Sequence, residues 1–153
     1  MTQLQLDVIL SIDPEKRRTV LALLASQVRW DLVRFFRANP FTIHTAQGLA
    51  RIVGRRVEQV EVETKALVHE SVLRRLSQDE DFPPIYAYEP NADLRLLIEL
   101  VEQLTDGRLD FFDELRKTLA DLDQEVTARS DCPHPTARAK TASHRRHSAR
   151  THR

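Results

Sequence analysis

The sequence predicts a mainly α-helical protein with one small β-hairpin, and three observations carry that reading. Leucines recur at helical spacing along most of the chain, while β-branched runs are scarce outside one short region and only three glycines are present. Gly54 separates two apolar helical patterns by a short break. Two strand-like runs then follow, around an acidic loop that carries prolines. An apolar fraction of 41% in 153 residues is enough to build a core.

Near the amino terminus Leu4, Leu6, Val8, Leu10 and Ile12 alternate with polar residues except at Ile9. That pattern favours a strand or extended arm over a helical turn. Asp13-Pro14-Glu15 marks a helix start, because an aspartate accepts from the first amides and a proline in the first turn loses no hydrogen bond. Leu21, Leu24, Val28, Leu32 and Phe35 continue at spacings of three and four, as one helix to about Ala38 or two meeting near Ser26. Asn39-Pro40 ends that stretch.

Phe41-Thr42-Ile43 reads as a short extended segment, and Thr45 as the N-cap of a helix whose apolar face is Ala46, Leu49, Ala50, Ile52 and Val53. Gly54 closes that helix, at the position where left-handed backbone costs least in a glycine. Val57, Val60, Leu67 and Val68 mark the next helix, with Thr64 where a leucine is expected. Val72, Leu73 and Leu76, with Arg74 and Arg75, form one strand, and Ile85 to Tyr88 its return partner, around the loop from Gln78 to Pro84. Asn91 caps a helix carrying Leu94, Leu97, Ile98, Val101 and Leu104, which ends near Thr105-Asp106-Gly107. In the last helix Leu109, Phe112, Leu115, Leu119, Leu122 and Val126 approach an a/d seam. Such a seam packs either on the chain's own first helix or on a second copy in a homodimer. From Thr127 onward proline, serine, threonine, arginine and histidine dominate without periodicity, which reads as a disordered tail.

Formal net charge is zero but unevenly divided. Seven basic residues from Arg129 to Arg153 stand against Asp131, a net of +6, so residues 1–126 carry −6. This describes an acidic body with a basic tail that can touch phosphates, fold back on the body or simply aid solubility. No apolar run reaches the roughly 18 residues of a membrane span, and Asp7 and Asp13 interrupt the early leucines where a signal peptide would be apolar. A cytoplasmic location is expected. Cys132 is the single cysteine, so no internal disulfide or thiolate cluster can form.

With these motifs laid out, the stretch from Trp30 to Glu89 resembles the winged helix-turn-helix domains of bacterial transcription regulators, in the broad style of the MarR and ArsR groups. The matching residues are Leu49-Ala50-Arg51-Ile52-Val53-Gly54, Val60, Leu67-Val68 and Glu70-Ser71-Val72-Leu73-Arg74-Arg75. On this reading residues 1–25 form an amino-terminal arm and helix, and 26–90 the winged helix-turn-helix domain. Helices able to dimerise occupy 91–126, and the basic tail 127–153. The resemblance implies binding to double-stranded DNA, with the helix after Gly54 in the major groove and the wing on the backbone or minor groove. By position it makes Arg55, Arg56, Glu58, Gln59, Glu61, Val62 and Lys65 groove-facing, with Arg51, Arg74 and Arg75 as flanking phosphate contacts and Arg29, Arg34 and Arg37 as further positive charge.

Glu58, Glu61 and Glu63 lie on the same helix, and Asp79, Glu80 and Asp81 at the wing tip. Affinity for DNA rests on lysine and arginine neutralising phosphates, which carboxylates oppose. Two functions follow. One is a DNA-binding transcription regulator; the other is a winged helix that meets a basic surface of another protein. His44 and His69 have no neighbouring ligand at metal spacing and read as core or surface histidines, while His134, His144, His147 and His152 could hold a metal only weakly. No phosphate-binding glycine loop and no nucleophile elbow is present, so neither an enzyme, a resident metal nor a cofactor is expected.

Overall fold

The computed structural model describes residues 3–77, 79–105 and 109–130. Its elements are α1 (Gln3–Ser11), α2 (Pro14–Leu23), α3 (Gln27–Ala38), β1 (Ile43–Thr45), α4 (Ala46–Val53), α5 (Val57–His69), β2 (Leu73–Arg75), β3 (Ile85–Tyr88), α6 (Ala92–Thr105) and α7 (Leu109–Ser130). The mainly helical class with a small wing stands as read. The strands form one antiparallel sheet in the order β1-β3-β2.

Local chemistry explains most element boundaries. Asp13 Oδ1 accepts from the amide of Glu15 ahead of α2, with Pro14 in the first turn. Ser26 resolves the choice between one long helix and two. Its Oγ accepts from the amide of Arg29 at 3.1 Å, so a new helix begins there. Thr45 Oγ1 likewise accepts from Gly48 and Asn91 Oδ1 from Leu94, both at the caps expected. Gly54 has φ 66°, in the left-handed region.

The amino-terminal segment differs from the strand expected. It is helix α1, and the residue that breaks the alternation, Ile9, is the one fully buried. Ile12 follows three residues later in the core, and Gln5, four earlier, donates its side-chain amide to the carbonyl of Leu104. A helix buries that 5, 9, 12 stripe and leaves Leu4 74% and Leu10 50% exposed. Strand β1 lies two residues later than the Phe41–Ile43 segment, because its pairing with β3 runs from Ile43 opposite Ala87 to Thr45 opposite Ile85. On α4, Ile52 falls outside the arc formed by Ala46, Leu49 and Ala50 and is half exposed. Residues 127–130, expected in the tail, instead belong to α7, which continues to Ser130. Ala128 and Arg129 favour helix, and the first proline beyond them is Pro133. Residues 131–153, which hold the rest of that expected disordered tail, lie outside the described residues.

One cluster of buried side chains runs from Ile9 to Leu119 and includes Trp30, Leu32, Phe36, Leu49, Leu67, Tyr86 and Ile98. Helix α7 packs on α2 and α6, which bury Phe112, Leu115 and Leu119 within the chain. Phe112, Leu115 and Leu119 of the seam therefore have an internal partner, and Leu122 packs against the same cluster. Phe36 packs against Tyr88 of β3 with nearly parallel rings at 6.4 Å, joining helix α3 to the sheet. Burial pushes the Tyr88 hydroxyl above its usual pKa.

Candidate nucleic-acid interface

Helix α5 is held by its buried face. Val60, Thr64 and Leu67 are each 0% exposed and point into the core. Thr64 tolerates that place because its hydroxyl donates to the carbonyls of Val60 and Glu61, leaving no unmet donor. At 3.6 residues per turn, the stripe opposite this face is Glu58, Val62, Lys65 and His69. Gln59 and Glu61 flank it on either side. The N-cap of α5 is Arg56, whose side chain makes no capping bond, so the first amides of α5 have no side-chain acceptor.

Glu63, which the sequence groups with Glu58 and Glu61 as the carboxylates of this helix, does not belong to its outer face. Arg29 Nε donates to Glu63 Oε2 at 2.6 Å and Ser26 Oγ to Oε1 at 2.7 Å, and the Arg29 guanidinium also donates to the carbonyl of Ala22. Both charged side chains are largely buried. The network ties α5 to the start of α3 and the end of α2, and it neutralises one of the three helix carboxylates in place.

The sequence-derived positions separate into two groups. Arg51, Arg56, Gln59 and Lys65 are exposed, and their side chains make no hydrogen bond or ion pair with any described residue. Arg55 instead pairs with Asp31 of α3 at 3.1 Å, Arg74 with Glu89 at 2.8 Å, and Arg75 Nε donates to the carbonyl of Ser77. The arginines of α3 are also engaged: besides Arg29, Arg34 meets Glu102 at 3.2 Å and Arg37 meets Glu99 at 2.7 Å. Glu99 thereby raises the pKa of Arg37 further. These two pairs fasten α3 to α6. None of the partner carboxylates, which lie 24 or more positions away for Arg29, Arg34, Arg37 and Arg55, follows from any local motif.

Asp79, Glu80 and Asp81 are exposed at the wing tip, where Asp79 Oδ1 accepts from the amide of Asp81 and shapes the turn. Phe82 beside them is 64% exposed. Between α5 and β2, the amide of Val72 bonds to the carbonyl of Leu67 and that of Ser71 to Val68, the paired closure of a Schellman motif. Ser71 there has φ 61°, in the left-handed region usually given to glycine. His44 packs edge-on against Phe35 at 5.3 Å, as a partly buried residue, and His69 is exposed on α5. Among the described residues no group of three side chains is placed to hold a metal ion, and no helix is long and apolar enough to cross a membrane.

Comparison of the chain with protein-family models, with curated proteins and with solved structures gives no match in any of the three.

Proposed function

We propose that the protein is a cytoplasmic DNA-binding transcription regulator of the winged helix-turn-helix kind, with α5 as the helix that enters the major groove. The observation that supports this best is the arrangement around Gly54. Arg51, in the last turn of α4, and Arg56, at the N-cap of α5, are both exposed, the first amides of α5 have no side-chain acceptor, and Lys65 lies on the outer stripe of the same helix. Unpaired cations next to a helix N-terminus suit phosphate oxygens. With Glu63 tied to Arg29, the outer face of α4 and α5 carries Arg51, Arg56 and Lys65 against Glu58 and Glu61, which removes much of the repulsion that three carboxylates would cause.

Charge reversal tests this reading. Arg51→Glu and Arg56→Glu together should lower affinity for a generic duplex at least tenfold at low salt, on the order of one counterion released per lost contact. Fluorescence anisotropy of a labelled duplex measures it, with circular dichroism as a fold check. Arg55 is left alone, since a glutamate there would face Asp31. Unchanged affinity in the double variant would sink the assignment.

A second reading rests on the wing. Its tip presents Asp79, Glu80 and Asp81 next to an exposed Phe82, which suits a basic protein surface with an apolar pocket. Binding to such a partner that survives the Arg51 and Arg56 reversals, together with no duplex binding by the native chain, would favour it. For a homodimer through residues 91–126, the exposed large apolar side chain among the described residues is Leu96 of α6, at 70%, while Phe112, Leu115 and Leu119 of α7 are buried within the chain.

A further inference from the structure

We infer that Glu58 is a base-selecting residue, which confines the protein to sites with a cytosine beneath the first turn of α5 and a thymine one or two base pairs away beneath Val62. The inference rests on the DNA-binding reading above and adds which bases the helix accepts. Glu58 and Val62 both lie on the outermost stripe of α5, opposite the buried Val60, Thr64 and Leu67. Val62 is 62% exposed, although it is β-branched and apolar. Unlike Glu63, Glu58 makes no ion pair with any described residue, so its charge stays unneutralised on the surface that would face the groove.

A carboxylate only accepts hydrogen bonds. In the major groove cytosine offers the N4 amine, whereas guanine presents N7 and O6, thymine presents O4, and adenine pairs its N6 amine with an N7 acceptor. Glu58 is therefore attracted by cytosine and repelled or poorly matched elsewhere. Discrimination arises as much from that repulsion as from the bond itself. Val62 lies one turn on, about 6 Å along the helix axis, a distance that spans between one and two base-pair steps of roughly 3.4 Å. Its methyl groups suit the C5-methyl of thymine. Arg51, Arg56 and Lys65 supply sequence-independent phosphate contact, and the glutamate limits where that contact can be used.

The test begins with selection of bound duplexes from a random-sequence pool by the full chain. Affinities of the native protein and of Glu58→Gln are then measured on the selected duplex and on duplexes changed at the cytosine. Glutamine removes the charge at constant shape on an exposed position, and circular dichroism checks the fold. The expected result is a cytosine and a thymine at that spacing. Glu58→Gln should bind the altered duplexes more tightly than the native protein does and lose about tenfold of the preference for cytosine. Val62→Ala should lose preference at the thymine alone. Tighter binding of Glu58→Gln to all duplexes by the same factor, or a selected pool without the cytosine, overturns the inference while leaving DNA binding intact. A pool with no enrichment, from a chain without salt-dependent affinity, overturns the DNA-binding reading itself.

Discussion

Glu58 and Glu63 sit five residues apart on one helix and meet opposite fates, because five steps of an α-helix carry a side chain well round its axis. Glu58 faces outward, and Glu63 completes a largely buried pair with Arg29 and Ser26. Removal of the inner carboxylate leaves a guanidinium with little access to water, so Glu63→Ala should cost about 2–4 kcal/mol. Glu58→Ala should stay within about 0.5 kcal/mol. Urea denaturation of the two variants distinguishes them, and equal losses would contradict the separation of an inner from an outer carboxylate. The sequence showed three glutamates on this helix, but not which one turns inward. That depends on Ser26 and Arg29, which lie 37 and 34 positions away.

Among the elements, those set by local chemistry were legible and those set by packing were not. Asp13, Thr45, Gly54 and Asn91 each satisfy or end a helix through their own atoms, and all four boundaries follow from the residues alone. The first segment misled because its alternation is real, yet a strand needs a partner and no described strand pairs with it. The sheet is completed by β1, β2 and β3, and the core accepts Ile9 and Ile12 from a helix. Ser71 also gave no signal, since a serine does not announce a left-handed residue. Gly54 allows a direct test at this scale. A Cβ there would meet nothing within 4 Å, so Gly54→Ala isolates the backbone cost of φ 66° from any clash. It should lose about 1–2 kcal/mol in thermal or urea unfolding. A neutral result would mean that the turn between α4 and α5 relaxes to another conformation.

For the whole molecule, charge placement decides what surface remains for a partner. The acidic body neutralises many of its own arginines: Arg34 and Arg37 bind α6, Arg55 binds Asp31 and Arg74 binds Glu89. Among the described residues, the exposed arginines and lysines from α4 through α5 without such partners are Arg51, Arg56 and Lys65. Sequence-level counting over-supplied both signs, the arginines of α3 on one side and Glu63 on the other, and the ion pairs cancel them together. If these three side chains each displace a phosphate counterion, log affinity for duplex DNA should fall with log salt at a slope of about −3. Titration of a labelled duplex at several salt concentrations, for the full chain and for a chain ending at Ser130, measures that slope. A chain ending at Ser130 should retain measurable binding with a slope near −3, whereas loss of all salt-dependent affinity on removing residues 131–153 would show that the folded body does not bind DNA.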